Sequence, residues 1–213
     1  MICLVTSRRQ LAPEARTTSA ALLALARWLE DAAGRVDLVQ IRETDLDGAS
    51  LERLTATVMS TMHGSGTRVV VNDRADVARD ADGIHLPESG PPAGRVRELG
   101  PPGWIVGRST HVPEATEAVR DADYVIFGTV FPTTSKPAGQ PLAGVTGLAK
   151  AVTAIAAPVL AIGGIDAARA AECRAAGAAG VAAIGLFLPP GRAPGALGLI
   201  PAAEVLRAAL GAE

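Results

Sequence analysis

The segment PVLAIGGIDAARAAECRAAGAAGVAAIG, Pro158 to Gly185, holds a short apolar run, a double glycine, an alanine-rich stretch and a second short apolar run. Val159 to Gly163 and Gly180 to Gly185 are continuously apolar or small, as parallel strands covered on both faces require. Asp166 is suited to cap the intervening helix, Asp166 to Ala176. Strand, helix and strand of this length make one βαβ unit.

The same alternation runs back to the N-terminus. Further strands are expected at Ile2 to Thr6, Asp37 to Arg42, Arg68 to Asn72, Gly83 to Leu86, Trp104 to Ser109 and Tyr124 to Gly128, with helices over Ala20 to Glu30 and Ser50 to Met62. The Gly/Pro-rich stretches Gly90 to Pro102 and Pro189 to Gly198 read as loops. Eight evenly spaced units without a dinucleotide-binding glycine fingerprint favour an α/β single (β/α)₈ TIM barrel over an open doubly wound sheet. The chain has 213 residues, slightly under the ~250 usual for that barrel. No linker divides it, so 1–213 reads as a single domain.

Composition narrows the function. Only 3% of residues are aromatic against 48% hydrophobic, so the core is aliphatic and base stacking is disfavoured. A net charge of −2, without long runs of either sign, leaves no footprint for nucleic acid or an anionic membrane. No uncharged stretch is long and unbroken enough to span a bilayer, and Met1 to Thr6 lacks the parts of a signal peptide. Cys3 and Cys173 have no cysteine neighbour and read as reduced, structural thiols, which suits a cytoplasmic protein. Oligomeric state stays open, a homodimer included.

Polar residues and glycines gather where the strands end, the face on which barrel active sites lie. Gln40-Ile-Arg42-Glu43 ends the second strand, Asn72-Asp73-Arg74 the third, His85 the fourth and Ser109-Thr110-His111 the fifth. Arg42 is a candidate anion ligand, or else pairs with Glu43 or another carboxylate at the mouth. Gly163-Gly164 and Gly185 would let backbone N–H groups approach a phosphate, or merely make turns. Thr133, Thr134, Ser135 and Lys136, bracketed by prolines, offer three hydroxyls and an ammonium to a pyrophosphate, or a solvated loop. Asp73 has the hard oxygen that Mg²⁺ takes, with Glu88 as a less obvious second carboxylate. His85 and His111 are acid, base or hydrogen-bonding candidates, or structural residues.

The ordered series Gln40-Ile-Arg-Glu43, Asn72-Asp-Arg74, Asp82-Gly-Ile-His85, Gly107-Arg-Ser-Thr-His111, Asp123-Tyr124, Phe127-Gly128, Pro132-Thr-Thr-Ser-Lys136, Ala161-Ile-Gly-Gly-Ile165 and Ala176-Gly-Ala178 resembles the thiamine phosphate synthase and thiazole tautomerase (TenI) superfamily. The likeness covers almost the whole chain. It implies a transferase that joins hydroxymethylpyrimidine pyrophosphate to thiazole phosphate with release of pyrophosphate. On that likeness Arg42, Asn72 and Lys136 bind pyrophosphate, Ser109 lies beside it as it departs, and Asp73 holds Mg²⁺. Gln40 contacts the pyrimidine, with His85 also placed at the substrate. Thr133 and Ser135 face the thiazole side, while Gly163, Gly164 and Gly185 cradle the thiazole phosphate. The partners implied are small phosphorylated substrates.

Several positions depart from the synthase pattern. Thr44 stands where that motif carries a lysine, Gly90 where it carries the second metal carboxylate, and Gly185 where it carries a serine. Leu86-Pro87 and Gly107-Arg108-Ser109 look closer to the tautomerase branch, but that branch's histidine after Phe-Gly is Thr129 here. The alternatives are therefore a thiazole phosphate tautomerase and a non-catalytic binder of thiazole or thiamine phosphate.

Overall fold

The structure, a computed structural model, describes residues 1–114, 117–133 and 141–211. Eight parallel strands close in sequence order into a barrel: β1 (Ile2–Val5), β2 (Leu38–Ile41), β3 (Arg68–Asn72), β4 (Gly83–Leu86), β5 (Ile105–Thr110), β6 (Tyr124–Gly128), β7 (Val159–Ile162) and β8 (Gly180–Ala183). All eight expected runs are strands. Thr6, Arg42, Gly163 and Gly185 fall just beyond their ends, where the chain turns out of the ladder onto the rim.

The helices are α1 (Arg8–Leu11), α2 (Thr18–Leu29), α3 (Gly48–Met62), α4 (Ala75–Ala78), α5 (Ala93–Arg97), α6 (Gly144–Ala154), α7 (Ala167–Ala175) and α8 (Leu199–Leu210). Thr17, Asp47 and Asp166 cap α2, α3 and α7 by accepting the backbone N–H of the residue three ahead. The stretch Gly90 to Pro102, read as loop from its prolines, carries α5, because Pro92 sits at the N-cap, outside the turn it would break. Among the described residues no helix joins β5 to β6.

The continuous apolar look of the strands conceals two alternating sets. Ile2, Leu4, Val39, Ile41, Val69 and Val71 face outward and pack against helix residues such as Leu25, Leu51 and Leu206. Cys3, Val5, Leu38, Val70, Ile126 and Leu160 fill the interior. Successive side chains alternate across a strand. Gln40 therefore points inward two positions after Leu38, as Asn72 does after Val70. The inner column turns polar only at the C-terminal end, and there the cavity opens.

The opposite end is closed by a repeated device. Asp37, Asp82 and Asp123 immediately precede β2, β4 and β6, and each accepts an N–H from the strand before its own: Ile2 at 2.6 Å, Val69 at 2.8 Å and Val106 at 2.7 Å. Each also pairs with an arginine, respectively Arg207, Arg68 and Arg97. The carboxylates thus satisfy donors that the ladder leaves over at its first residues. Cys3 and Cys173 are buried free thiols, and burial pushes Cys173 up to about 12, so neither ionises at neutral pH. Among the described residues no helix is long and apolar enough to cross a membrane.

Candidate functional site

A cavity of about 820 Å³ lies at the C-terminal ends of the strands. Its floor is apolar, made by Val5, Ile126, Ile162, Ala182 and Ile184. Its rim gathers Gln40, Arg42, Asn72, Asp73 and Ser109 on one side, with Thr133 after β6 and Gly163, Gly164 and Gly185 on the β7 and β8 turns. Nearly every described residue singled out from sequence is thus brought to one place. Thr134, Ser135 and Lys136 lie outside the described residues.

Arg42 reaches the cavity because its neighbour is occupied elsewhere. Glu43 is buried, and it takes Thr6 Oγ1 at 2.8 Å, the Arg8 backbone N–H at 2.9 Å and the Arg8 guanidinium at 2.8 Å. Thr6 Oγ1 in turn accepts the Arg42 N–H at 3.0 Å. Arg8 also grips Asp45 through two bonds of 2.6 Å, which hold the Asp45 carboxyl down at about 2. The salt bridge weighed for Arg42 and Glu43 is therefore replaced by Arg8 and Glu43. Among the described residues Arg42 has no carboxylate partner, and its charge faces the cavity.

Next to Arg42, the Gln40 amide donates to Asn72 Oδ1 at 3.0 Å, which leaves the Asn72 NH₂ as a donor on the wall. Asp73 follows in left-handed conformation, φ 63°, with its N–H on the His85 carbonyl at 2.9 Å, and its carboxylate is exposed on the rim. Asp and Asn tolerate this region better than other side chains.

His85 differs from its expected place. It is fully buried behind the wall, with Nε2 2.8 Å from Ser109 Oγ and Nδ1 2.9 Å from the Tyr124 hydroxyl. Burial, then the charges of Arg42 and Arg108, push its pKa down to about 3, so the ring is neutral. Ser109, not His85, presents itself to the cavity. Gly107 makes this packing fit, since a Cβ there would lie 2.1 Å from the Tyr124 ring.

The second carboxylate considered from sequence, Glu88, lines the cavity but is committed. Its oxygens meet the His111 N–H at 2.7 Å, His111 Nδ1 at 2.8 Å and Thr110 Oγ1 at 3.3 Å. Partial burial raises its pKa, yet these bonds from His111 and Thr110 outweigh that and hold it below the usual carboxylate range. Arg108 fixes the same loop by donating to the carbonyls of Glu88, Gly90 and Pro91. At Gly90 the chain offers a backbone carbonyl already used by Arg108. Among the described residues no group of three His, Cys, Asp or Glu forms a metal cage.

On the far arc, Gly163 (φ 105°) and Gly164 (φ 62°) make the turn from β7 into α7. A Cβ on Gly164 would lie 2.3 Å from the Pro132 carbonyl, and one on Gly163 2.4 Å from the Thr129 methyl. The glycines are therefore required by packing as well as by conformation. Among the described residues the N–H groups of Gly164, Ile165 and Gly185 have no acceptor, and such groups at a helix entrance suit an anion. Arg169 joins them unannounced by the sequence. Its Nη1 donates to the Gly164 carbonyl at 2.7 Å and its guanidinium stands 5.1 Å from the Phe131 ring centre. The one available signal was a basic residue in the first turn after the double glycine.

Comparison with known proteins agrees with this geometry. The family described as Thiamine monophosphate synthase matches residues 3–187. A thiamine-phosphate synthase of Methanocella arvoryzae is 42% identical over 156 residues, covering 71% of this chain and 74% of its own. One of Chlorobium luteolum is 39% identical over 155 residues, covering 71% and 73%. The solved thiamine phosphate pyrophosphorylase from Pyrococcus furiosus superposes with a TM-score of 0.78 at 28% identity, covering 99% of this chain and 95% of that one. A barrel whose rim carries these residues in this order, matched along nearly its whole length, is a member of the thiamine monophosphate synthase family.

Proposed function

We propose that this chain is a thiamine-phosphate synthase, joining hydroxymethylpyrimidine pyrophosphate to thiazole phosphate with release of pyrophosphate. The carrying observation is that two sets of hydrogen-bond donors suited to anions share one cavity: Arg42, Asn72 and Ser109 on one side, the glycine turns of β7 and β8 on the other. A tautomerase acting on a single thiazole phosphate would need only the second set. That asymmetry favours the synthase.

The reaction breaks a carbon–oxygen bond, sends its electron pair to pyrophosphate and forms a carbon–nitrogen bond to the thiazole. Charge separates in the process. Arg42, the Asn72 amide and the Ser109 hydroxyl act on the departing pyrophosphate, and fixed donors of this kind need no reorganisation as charge develops. Gln40 orients the pyrimidine. The apolar floor excludes water that would otherwise capture the cationic carbon. Gly163, Gly164 and Gly185 hold the thiazole phosphate so that its ring nitrogen addresses that carbon, with Thr133 beside it. Lys136 and Ser135 belong to this assignment from the sequence.

Asp73 fits a Mg²⁺ held chiefly by substrate, because its carboxylate is exposed on the rim while Glu88 is engaged by His111. Mg²⁺ commonly keeps one or two carboxylates and completes its shell with phosphate and water. The chemistry that the ion supplies there is neutralisation of pyrophosphate charge. The deciding experiment incubates the protein with both substrates and Mg²⁺ and follows thiamine phosphate and pyrophosphate. Equimolar appearance of both supports the assignment; binding of thiazole phosphate without turnover removes it in favour of a binder.

A further inference from the structure

Ser109, His85 and Tyr124 form a line from the cavity wall into the barrel, and the hydrogens in that line have only one consistent arrangement. The Tyr124 hydroxyl is fully buried, and its one partner among the described residues is His85 Nδ1 at 2.9 Å. A buried phenol that accepted from Nδ1–H would leave its own proton with no acceptor, at the full cost of desolvating it. The phenol therefore donates, Nδ1 accepts, and the neutral ring carries its proton on Nε2. Nε2–H then donates to Ser109 Oγ at 2.8 Å.

Building on the synthase reading, we propose that Tyr124 is a positioning residue that fixes the Nε2–H tautomer of His85 and so turns the Ser109 hydroxyl proton into the cavity as a donor to pyrophosphate. With the opposite tautomer Ser109 would give its proton to Nε2 and present only lone pairs to an anion. Direction decides whether the serine attracts or repels. Two features support the design. Gly107 leaves the space that the Tyr124 ring occupies, and both ring nitrogens of His85 find their partners within the wall.

The first test needs no variant. Long-range ¹H–¹⁵N correlation on histidine-labelled protein, assigned with His63→Gln and His111→Gln, reads the His85 tautomer directly. Nε2–H is expected, and Nδ1–H overturns the inference whatever the protein catalyses. The second test titrates inorganic pyrophosphate with Mg²⁺ by calorimetry. Tyr124→Phe and Ser109→Ala are each expected to weaken it about tenfold, the loss of one hydrogen bond to a charged group, with Tyr124→Phe also shifting the tautomer. A Tyr124→Phe protein that binds as wild type overturns the relay. A wild-type protein with the Nε2–H tautomer that binds no pyrophosphate leaves the Tyr124 and His85 arrangement standing but removes the pyrophosphate contact of Ser109 together with the synthase reading.

Discussion

The guanidinium of Arg8 meets the carboxylate of Glu43 at 2.8 Å with both side chains at most 7% exposed, and this pair frees Arg42 for the cavity. Glu43 lies beside Arg42 in sequence yet pairs with Arg8 instead. It ties the β1–α1 connection to the β2–α3 connection. Replacing Glu43 with Ala leaves the Thr6 hydroxyl proton and the Arg8 N–H without their acceptor together. Removing one partner of a buried pair costs about 3 kcal/mol, tempered here because Asp45 still holds Arg8. Chemical denaturation is expected to show a loss of that order, and Glu43→Gln a smaller one.

Asp45 gives the same cluster a pH dependence. Its carboxyl falls from an ordinary 3.8 to about 2, first because Arg8 donates to it. A depressed folded pKa contributes stability that is complete above about 4 and is lost as pH falls towards 2. Acid unfolding of wild type and Asp45→Asn should therefore differ at pH 5 and converge near pH 2. Curves that stay parallel across that window refute the linkage.

Arg42→Ala is expected to leave thermal stability nearly unchanged, since among the described residues no carboxylate pairs with it. Turnover should suffer instead. Loss of a charge-assisted contact to phosphate corresponds to about 10- to 100-fold in kcat/KM. Steady-state kinetics beside a melting curve separates the two, and a variant that melts early with normal kinetics would show Arg42 to be structural.

Gly164→Ala should differ from Arg42→Ala by costing stability as well as function. The new methyl must sit 2.3 Å from a backbone carbonyl at φ 62°, so the turn has to shift. Strain of this kind costs about 1 to 3 kcal/mol. Calorimetric affinity for thiazole phosphate is expected to fall together with stability, whereas retained affinity would move the phosphate away from this turn.

The barrel was legible because its strands are apolar on both faces, and Asp166 announced α7 through a capping preference that acts locally. Gln40, Asn72 and Ser109 could be placed at the site because polarity appears only at the ends of runs. Other relationships depend on folding itself. The partner of Glu43 lies 35 residues away, and nothing in the local sequence distinguishes Arg8 from Arg9. His85 sits in the same column as the site residues, so only three-dimensional packing reveals that Ser109 stands in front of it. Gly90 to Pro102 hid α5 because proline at an N-cap looks, from composition, like proline in a loop. Arg169 escaped notice because its role depends on the path of the Gly164 carbonyl.

The aspartates ahead of β2, β4 and β6 lie a full strand length from the cavity. Closure of the cylinder and choice of ligand are thereby assigned to different residues at different poles. Loops at the open pole can be exchanged, lengthened or grafted without touching the contacts that keep the staves together. The same frame is thus available for new catalytic repertoires, in evolution or at the bench, provided Asp37, Asp82 and Asp123 are inherited intact.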